Sequence, residues 1–483
     1  MKEETTSEEN ESTTSEYVET TSVNDSETTI SSSVDWNTEQ PALNNPELTI
    51  HDMADIEEQM YDLMEEYMET EMIHISSANF FKKFVADITT VCFQYWFDSE
   101  ICDEDDYDEI EEIVRELSNI YFDICDLRTQ NNQDIANITP EAKNIFITQQ
   151  LKYLKSIPQA KQKTIEWYKT RYNLITASNC WKAFGSESQK NALIYDKCKP
   201  FSTSSHDYVN TQSTLHWGVK YEPVSLMIYE YKFHTKIEDF GCIPHSTYPF
   251  VGASPDGINI DPSNVVLYGR MVEIKNIFNR EITGIPKEEY WIQTQIQMET
   301  CNLDECDLFE TRIKEYENEE AFYTNTTHEY KGVILHFIHR TVNNSLQENV
   351  SLNELNTPIY KYMPLSVSQS NNKTEIDTWI QQLKEQNSDL ILFNKIYWYV
   401  DQCCCTLIKR NKQWFKTAIP KIKELWDIVL KERVDGYEHR AAKKKIKTEV
   451  IVEKQLENTF INTSSHIIKN LPQSSQMAIV KLS

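Results

Sequence analysis

Two stretches limit what this 483-residue chain can fold into. The first, Gly252-Ala253-Ser254-Pro255-Asp256-Gly257, sets an aspartate in a tight turn, with Pro255 at the second position and Gly257 near the end. The second, Met271-Val272-Glu273-Ile274-Lys275, alternates as a strand. Val272 and Ile274 lie on one face and Glu273 and Lys275 on the other. If the two stretches pair as neighbouring strands, Asp256, Glu273 and Lys275 project from one face. Two carboxylates beside an ammonium suit a hard divalent cation and an activated water. The lysine can orient or deprotonate that water, or offset charge in the transition state. Standing alone the motif is weak, because a Glu-x-Lys on a strand edge is ordinarily a solvated pair.

The length allows two or three domains, with a sizeable core in at least one. The formal net charge of −29 is unevenly placed. Residues 1–128 hold 35 acidic and 5 basic side chains, whereas residues 129–483 hold 41 and 42. The first part repels phosphate; nothing in the charge of the second argues against a nucleic-acid partner. The eleven cysteines show neither a disulfide framework nor the usual Cys-x-x-Cys zinc spacing, so a reducing, cytosolic-type compartment is expected. No signal segment opens the chain and no run of about 18 apolar residues could cross a bilayer, so no membrane is expected.

Residues 1–50, mostly Ser, Thr and Glu, bury too little apolar surface to offset their ordering entropy, and a disordered acidic arm is expected. Residues 51–138 read as an acidic helical accessory region. Its first helix, 52–72, carries Met53, Ile56, Met60, Leu63, Met64, Tyr67 and Met68 at close to helical spacing, for docking on a partner or on its own chain; a solvated acidic helix fits equally. The acidic run Asp103 to Glu112 lacks the glycine and the ligand spacing of a calcium loop. A packed domain is expected over 139–436, and 437–483 reads as a basic-to-loose tail.

Within 139–436, helices are expected at 140–155, 158–171, 190–198, from His216 to about Tyr231, from Glu288 to about Thr300, at 374–386 and from Pro420 to Arg433. Strands are expected at Cys306 to Ile313, Gly332 to Val342 and Cys403 to Lys409. Arg171 is followed across a turn by Thr176 and Ser178, which can cap a helix and make an anion site; an ordinary cap beside a surface arginine is the commoner outcome. Glu222 is expected in a first helical turn, where a glutamate usually just answers the helix dipole. Residues 409–447 hold 13 basic and 5 acidic side chains, with Trp414 and Trp426 among them. Base stacking and phosphate contact compete there with a solvated helical face.

These signals occur in a set order: Arg171…Ile175-Thr176-Ala177-Ser178, Trp217-Gly218…Tyr221-Glu222, Ser254-Pro255-Asp256-Gly257, Glu273-Ile274-Lys275 and Tyr290…Gln293…Gln295. Together, over roughly residues 160–315, they resemble the YqaJ-type viral recombinases, relatives of phage lambda exonuclease in the restriction-endonuclease-like superfamily. The section from Trp398 to Val429, within a C-terminal extension at 374–436, is similar to large-DNA-virus members. The resemblance implies an α/β fold with a mixed central sheet flanked by helices. It implies a Mg²⁺-dependent (or Mn²⁺-dependent) exonuclease that digests one strand of duplex DNA from a free 5′ end, in viral recombination and replication. By resemblance, Asp256 and Glu273 are metal ligands with Glu222 as the upstream acidic residue beside the metals. Lys275 is then the catalytic lysine, Gln293 helps position the water or scissile phosphate, and Arg171, Ser178 and Ser254 contact phosphate. Family enzymes often form a ring of three subunits around DNA and work with a single-strand annealing protein. The resemblance also implies work in the host cytoplasm or a viral factory, or packaging in the virion. The Asp256–Glu273 gap is longer than in the phage enzyme, implying a longer hairpin, and the acidic arm is additional. The rival readings are a structure-specific endonuclease on the same fold, a non-catalytic DNA-binding or scaffold protein, and an RNA nuclease.

Overall fold

The computed structural model describes residues 50–124, 128, 130–131, 141–160, 162, 164–201, 211, 213–339 and 358–442. The expected disordered arm, save Ile50, and the tail beyond 442 lie outside the described residues. The accessory region folds as three helices, α1 (Ile50–Thr70), α2 (Phe80–Asp98) and α3 (Tyr107–Ile124), with a 3-10 turn at Met72–Ser76. Met60, Met64 and Met68 of α1 are buried together with Phe84 and Ile88 of α2 and Ile110 and Val114 of α3. Each such side chain contributes roughly 1.5–3 kcal/mol when removed from water. The methionine stripe of α1 therefore docks on its own chain.

The elements that follow are β1 (Gln130–Asn131), α4 (Glu141–Ser156), α5 (Ile165–Tyr172), β2 (Ile175–Thr176), α6 (Ala177–Cys180), α7 (Glu187–Cys198) and α8 (Thr214–Phe233). Next come β3 (Ile237–Glu238), β4 (Ile243–Pro244), β5 (Val251–Ala253), β6 (Gly257–Asn259), β7 (Met271–Asn276), α9 (Glu288–Cys301) and β8 (Glu305–Glu315). The chain continues with α10 (Glu319–Thr324), β9 (Lys331–His339), β10 (Ile359–Tyr362), α11 (Leu365–Gln369), α12 (Lys373–Gln386), β11 (Leu390–Lys409) and α13 (Lys412–Asp435).

Within 139–436, four helix starts differ from expectation by two residues or more, each for a capping reason, α7 among them: it begins at Glu187 rather than residue 190, capped by Ser186. α5 begins at Ile165 rather than Pro158, because the Thr164 hydroxyl accepts from the Trp167 N–H at 3.3 Å. α8 begins at Thr214, capped by Ser213 through the His216 N–H at 3.1 Å. Glu222 is thereby mid-helix, with Pro223 inside the helix, and it does not answer a helix N-terminus. α13 begins at Lys412, where the Asn411 side chain accepts from the Trp414 N–H at 2.7 Å, and it runs through Pro420 instead of starting there.

The central sheet runs β10-β9-β11-β8-β7-β6-β3, with β1 alongside β11. β7 and β8 are parallel, joined by α9, and the remaining pairs are antiparallel. β11 extends well beyond the expected strand Cys403 to Lys409: Leu390 to Tyr399 pairs with β9 and Trp398 to Lys409 with β8, with a register shift between Val400 and Gln402. A second sheet, β2-β5-β4, is small, with β2 parallel to β5. On one face of β7, Val272 and Ile274 pack with Tyr221, Val224 and Ile228 of α8. On the other, Met271 joins the core that holds Trp291, Ile292 and Ile296 of α9. Trp414 is fully buried, edge-on to Trp291 at 5.1 Å, and Trp426 is buried as well. Neither offers a face to a base, so the stacking option for the basic region falls. Among the described residues no helix is long and apolar enough to cross a membrane.

Candidate active site

The turn Ser254–Asp256 links the two sheets. β5 ends at Ala253 and β6 begins at Gly257, which pairs with Val272 of β7. Gly257 is required by close approach: a Cβ there would lie 2.0 Å from the Ile237 side chain. One Asp256 oxygen accepts the Ile274 N–H at 2.8 Å, pinning the turn to the strand that carries Glu273 and Lys275.

Glu273 is only 2% exposed. Its Oε1 accepts from Lys275 Nζ at 2.5 Å and from Gln293 Nε2 at 2.6 Å, and its Oε2 accepts from Gln297 Nε2 at 2.7 Å. Lys275 also donates to Gln293 Oε1 at 3.1 Å and lies 4.9 Å from the Tyr290 ring centroid. Gln293 and Gln297 stand one turn apart on α9, so one helix face holds both oxygens of a buried carboxylate that would otherwise be very costly. Gln295, on the opposite side, accepts the Asn411 N–H and donates to the Lys409 carbonyl, tying α9 to the start of α13.

Burial pushes the Asp256 carboxyl well above the usual carboxylate range, and the charges of Glu273 and Glu222 push the same way; Lys275 and the Ile274 N–H only partly oppose them. Burial pulls Lys275 down, but Glu273 and Asp256 outweigh it, and the ammonium ends above the ordinary lysine value. Half-buried Glu222 thus reaches the site from α8, within the electrostatic range of Asp256.

Among the described residues no three His, Cys, Asp or Glu side chains are gathered as a ready metal-ligand set. Both Glu273 oxygens are engaged by donors of the chain itself. The donor chemistry nonetheless fits a hard cation: the charges of Glu273 and Glu222 both act on Asp256, with Lys275 opposing them.

Arg171, Ser178 and Ser254 meet at the ends of the small sheet. An Arg171 Nη donates to Ser178 Oγ at 3.4 Å, and the guanidinium lies 4.3 Å from the Trp167 ring centroid. Ser254 Oγ is buried beside the Cys242 thiol, on which Arg171, Ser254 and Lys197 all act. Arg171 and Lys197 line one cavity of about 470 Å³ together with Tyr168, Thr176 and Lys199. Burial, and then Arg171 itself, lower Lys197 to about 8. Lys197 donates to the Arg171 carbonyl at 2.5 Å. Sequence reasoning missed Lys197, because only the fold brings α7 to Arg171. It also missed the role of Gln297, which the four-residue step from Gln293 could have signalled.

Comparison with known proteins places these features. Residues 166–304 match the model of the YqaJ-like viral recombinase domain. An uncharacterized protein of Acanthamoeba polyphaga mimivirus is 30% identical over 337 residues, which cover 63% of this chain and 59% of that protein. Two crystal structures of LHK-Exo, one in complex with dAMP and one described as an alkaline exonuclease from Laribacter hongkongensis, align with 56% of this chain and 94% of theirs. Their identity is 16% and their TM-scores are 0.31 and 0.32, too low for an element-by-element correspondence. The stretch that holds Arg171, Glu222, Asp256, Glu273, Lys275 and Gln293 is therefore similar to the YqaJ-like viral recombinase domain, in keeping with the order of its motifs.

Proposed function

We propose that the protein is a Mg²⁺-dependent (or Mn²⁺-dependent) deoxyribonuclease that digests one strand of linear duplex DNA from its 5′ end, in viral recombination or replication. The observation that carries this reading is the convergence of Asp256, Glu273 and Lys275 at one sheet face, with Glu222 in electrostatic reach. Asp256, Glu273 and Glu222 are the residues that would hold the cation. When bound, the cation supplies positive charge beside the scissile phosphate and a more acidic water. Lys275, held by Glu273 and Gln293, is positioned to orient the attacking water or to balance charge growing on the phosphate. Gln293 keeps Lys275 and Glu273 in register. Arg171, Ser178 and Ser254 form the anion site that would take a phosphate of the strand. A single-strand annealing protein is the partner that fits a 3′ single-stranded product.

The deciding experiment incubates the purified chain and Mg²⁺ with a 5′-labelled linear duplex and with a covalently closed circle. Loss of the linear duplex with the circle intact is the expected result. Cutting of the circle would favour a structure-specific endonuclease. No cleavage of either would leave a DNA-binding or scaffold protein.

A further inference from the structure

α9 supplies both amides that hold Glu273, yet its own start lacks a side-chain cap: Lys287, at the cap position, makes no such bond. The accessory region provides the missing fixings. Ser76 Oγ, at the end of the 3-10 turn, donates to Glu288 Oε1 at 2.9 Å. Arg128, just beyond α3, donates to the Ser76 carbonyl at 3.0 Å and to the Pro286 carbonyl at 2.6 Å. The Arg128 carbonyl in turn accepts from Trp291 Nε1 at 2.9 Å, and its guanidinium lies 5.9 Å from the Trp291 ring centroid. Trp291 is fully buried against Trp414, whose Nε1 donates to the Ile73 carbonyl at 3.3 Å. An arginine beside a helix N-terminus opposes the helix dipole, so its placement there is explained by the groups it ties together rather than by electrostatic preference. Burial lowers Arg128 to about 10, against which Glu288 acts.

We propose that the accessory helices are an internal brace for α9, with Arg128 and Ser76 as positioning residues for Gln293 and Gln297 and, through them, for Glu273. Arg128 and Ser76 touch neither substrate nor reacting atoms; they fix the register of the helix that does the holding. The effect on turnover rests on the proposed nuclease activity, whereas the mechanical link does not.

The test uses the full chain with Arg128→Met, Arg128→Lys and Ser76→Ala, and with Val114→Ala as a control. Val114→Ala removes two buried methyls from the packing of α1, α2 and α3 while keeping the Ser76 and Arg128 bonds that tie the region to α9. Two quantities are read: kcat and KM on the linear duplex, and backbone hydrogen exchange of residues 288–301 in the absence of DNA. Arg128→Met is expected to lower kcat at least about tenfold, with KM changed by less than about twofold, since small misplacements of catalytic groups cost rate. Exchange in 288–301 should accelerate in Arg128→Met and in Ser76→Ala, and Arg128→Lys should recover most of both losses. Val114→Ala should lower the melting midpoint while leaving kcat and exchange in 288–301 near wild type. Unchanged exchange in 288–301 of Arg128→Met overturns the brace, as does an equal loss of kcat in Val114→Ala at matched stability. If the wild-type chain cleaves nothing but exchange responds to Arg128→Met and not to Val114→Ala, the nuclease reading fails and the brace stands.

Discussion

Asp256, Glu273 and Lys275 meet through short-range rules: a Pro-Gly turn, strand alternation, and a hairpin that pairs the two. Their roles should separate on substitution. Asp256→Ala and Glu273→Ala are expected to abolish cleavage and weaken Mn²⁺ binding, because a hard cation loses an anionic oxygen that water replaces poorly. Lys275→Ala should abolish cleavage and leave Mn²⁺ binding intact or tighter, since a nearby positive charge has gone. Calorimetric titration beside the duplex assay reads both; wild-type cleavage by Glu273→Ala would remove Glu273 from the site. Asp256 also bears on stability. Its folded-state pKa is raised, so the native chain binds the extra proton, and stability falls as pH climbs from the unfolded value of about 4 through the raised one. Without divalent cations, Asp256→Asn should melt higher than wild type, by a margin that grows over that window and then levels; a margin that shrinks with pH would contradict the linkage. Arg171→Ala should slow digestion of 5′-phosphorylated ends about ten- to a hundredfold more than of 5′-hydroxyl ends, the worth of one charge-assisted bond. Equal loss on both ends would make Arg171 structural. The sequence makes these residues legible because each sits in a local pattern. Lys197 and Cys242 were not legible, because their proximity to Arg171 exists only once α7 and the small sheet have packed.

Helices and strands are legible where periodicity and length agree, as in α9, α12 and β7, the strand that carries Glu273 and Lys275. They were misread where proline was taken as a boundary. Pro420, taken as a helix start, lies inside α13, and Pro223 likewise lies inside α8, because tertiary packing on both sides outweighs the bond that proline removes. The shift in helix start moved Glu222 from a supposed dipole partner to a mid-helix position. The same packing explains why Trp414 is not a base platform. Trp414→Ala should destabilise the chain by about 3–5 kcal/mol, through the lost burial and the cavity left behind. Chemical denaturation reads this directly, and the salt dependence of duplex binding should not move. A variant of near wild-type stability that binds DNA weakly would restore the stacking role.

For the whole molecule, charge is the coarse variable. Residues 1–49, outside the described fold, hold 12 acidic side chains and one lysine. On the proposed nuclease reading, such a segment should compete with DNA for the basic region 409–447 or keep the chain off nonspecific sites. Because α1 begins at Ile50 and contributes Met60, Met64 and Met68 to a core, a truncation meant to test the arm alone must stop at residue 49. That truncation should tighten nonspecific duplex binding most at low ionic strength, where screening is weak; equal affinity of both chains across a salt series would refute it. The closed circuit around Glu273 has a consequence at this scale too. Its two oxygens are satisfied by amides and an ammonium of the same chain, so assembly does not wait for an ion. In small zinc domains, by contrast, stripping the ion unfolds the chain. A chelator should therefore idle this protein rather than denature it, and activity should return when the ion is restored, with no refolding step.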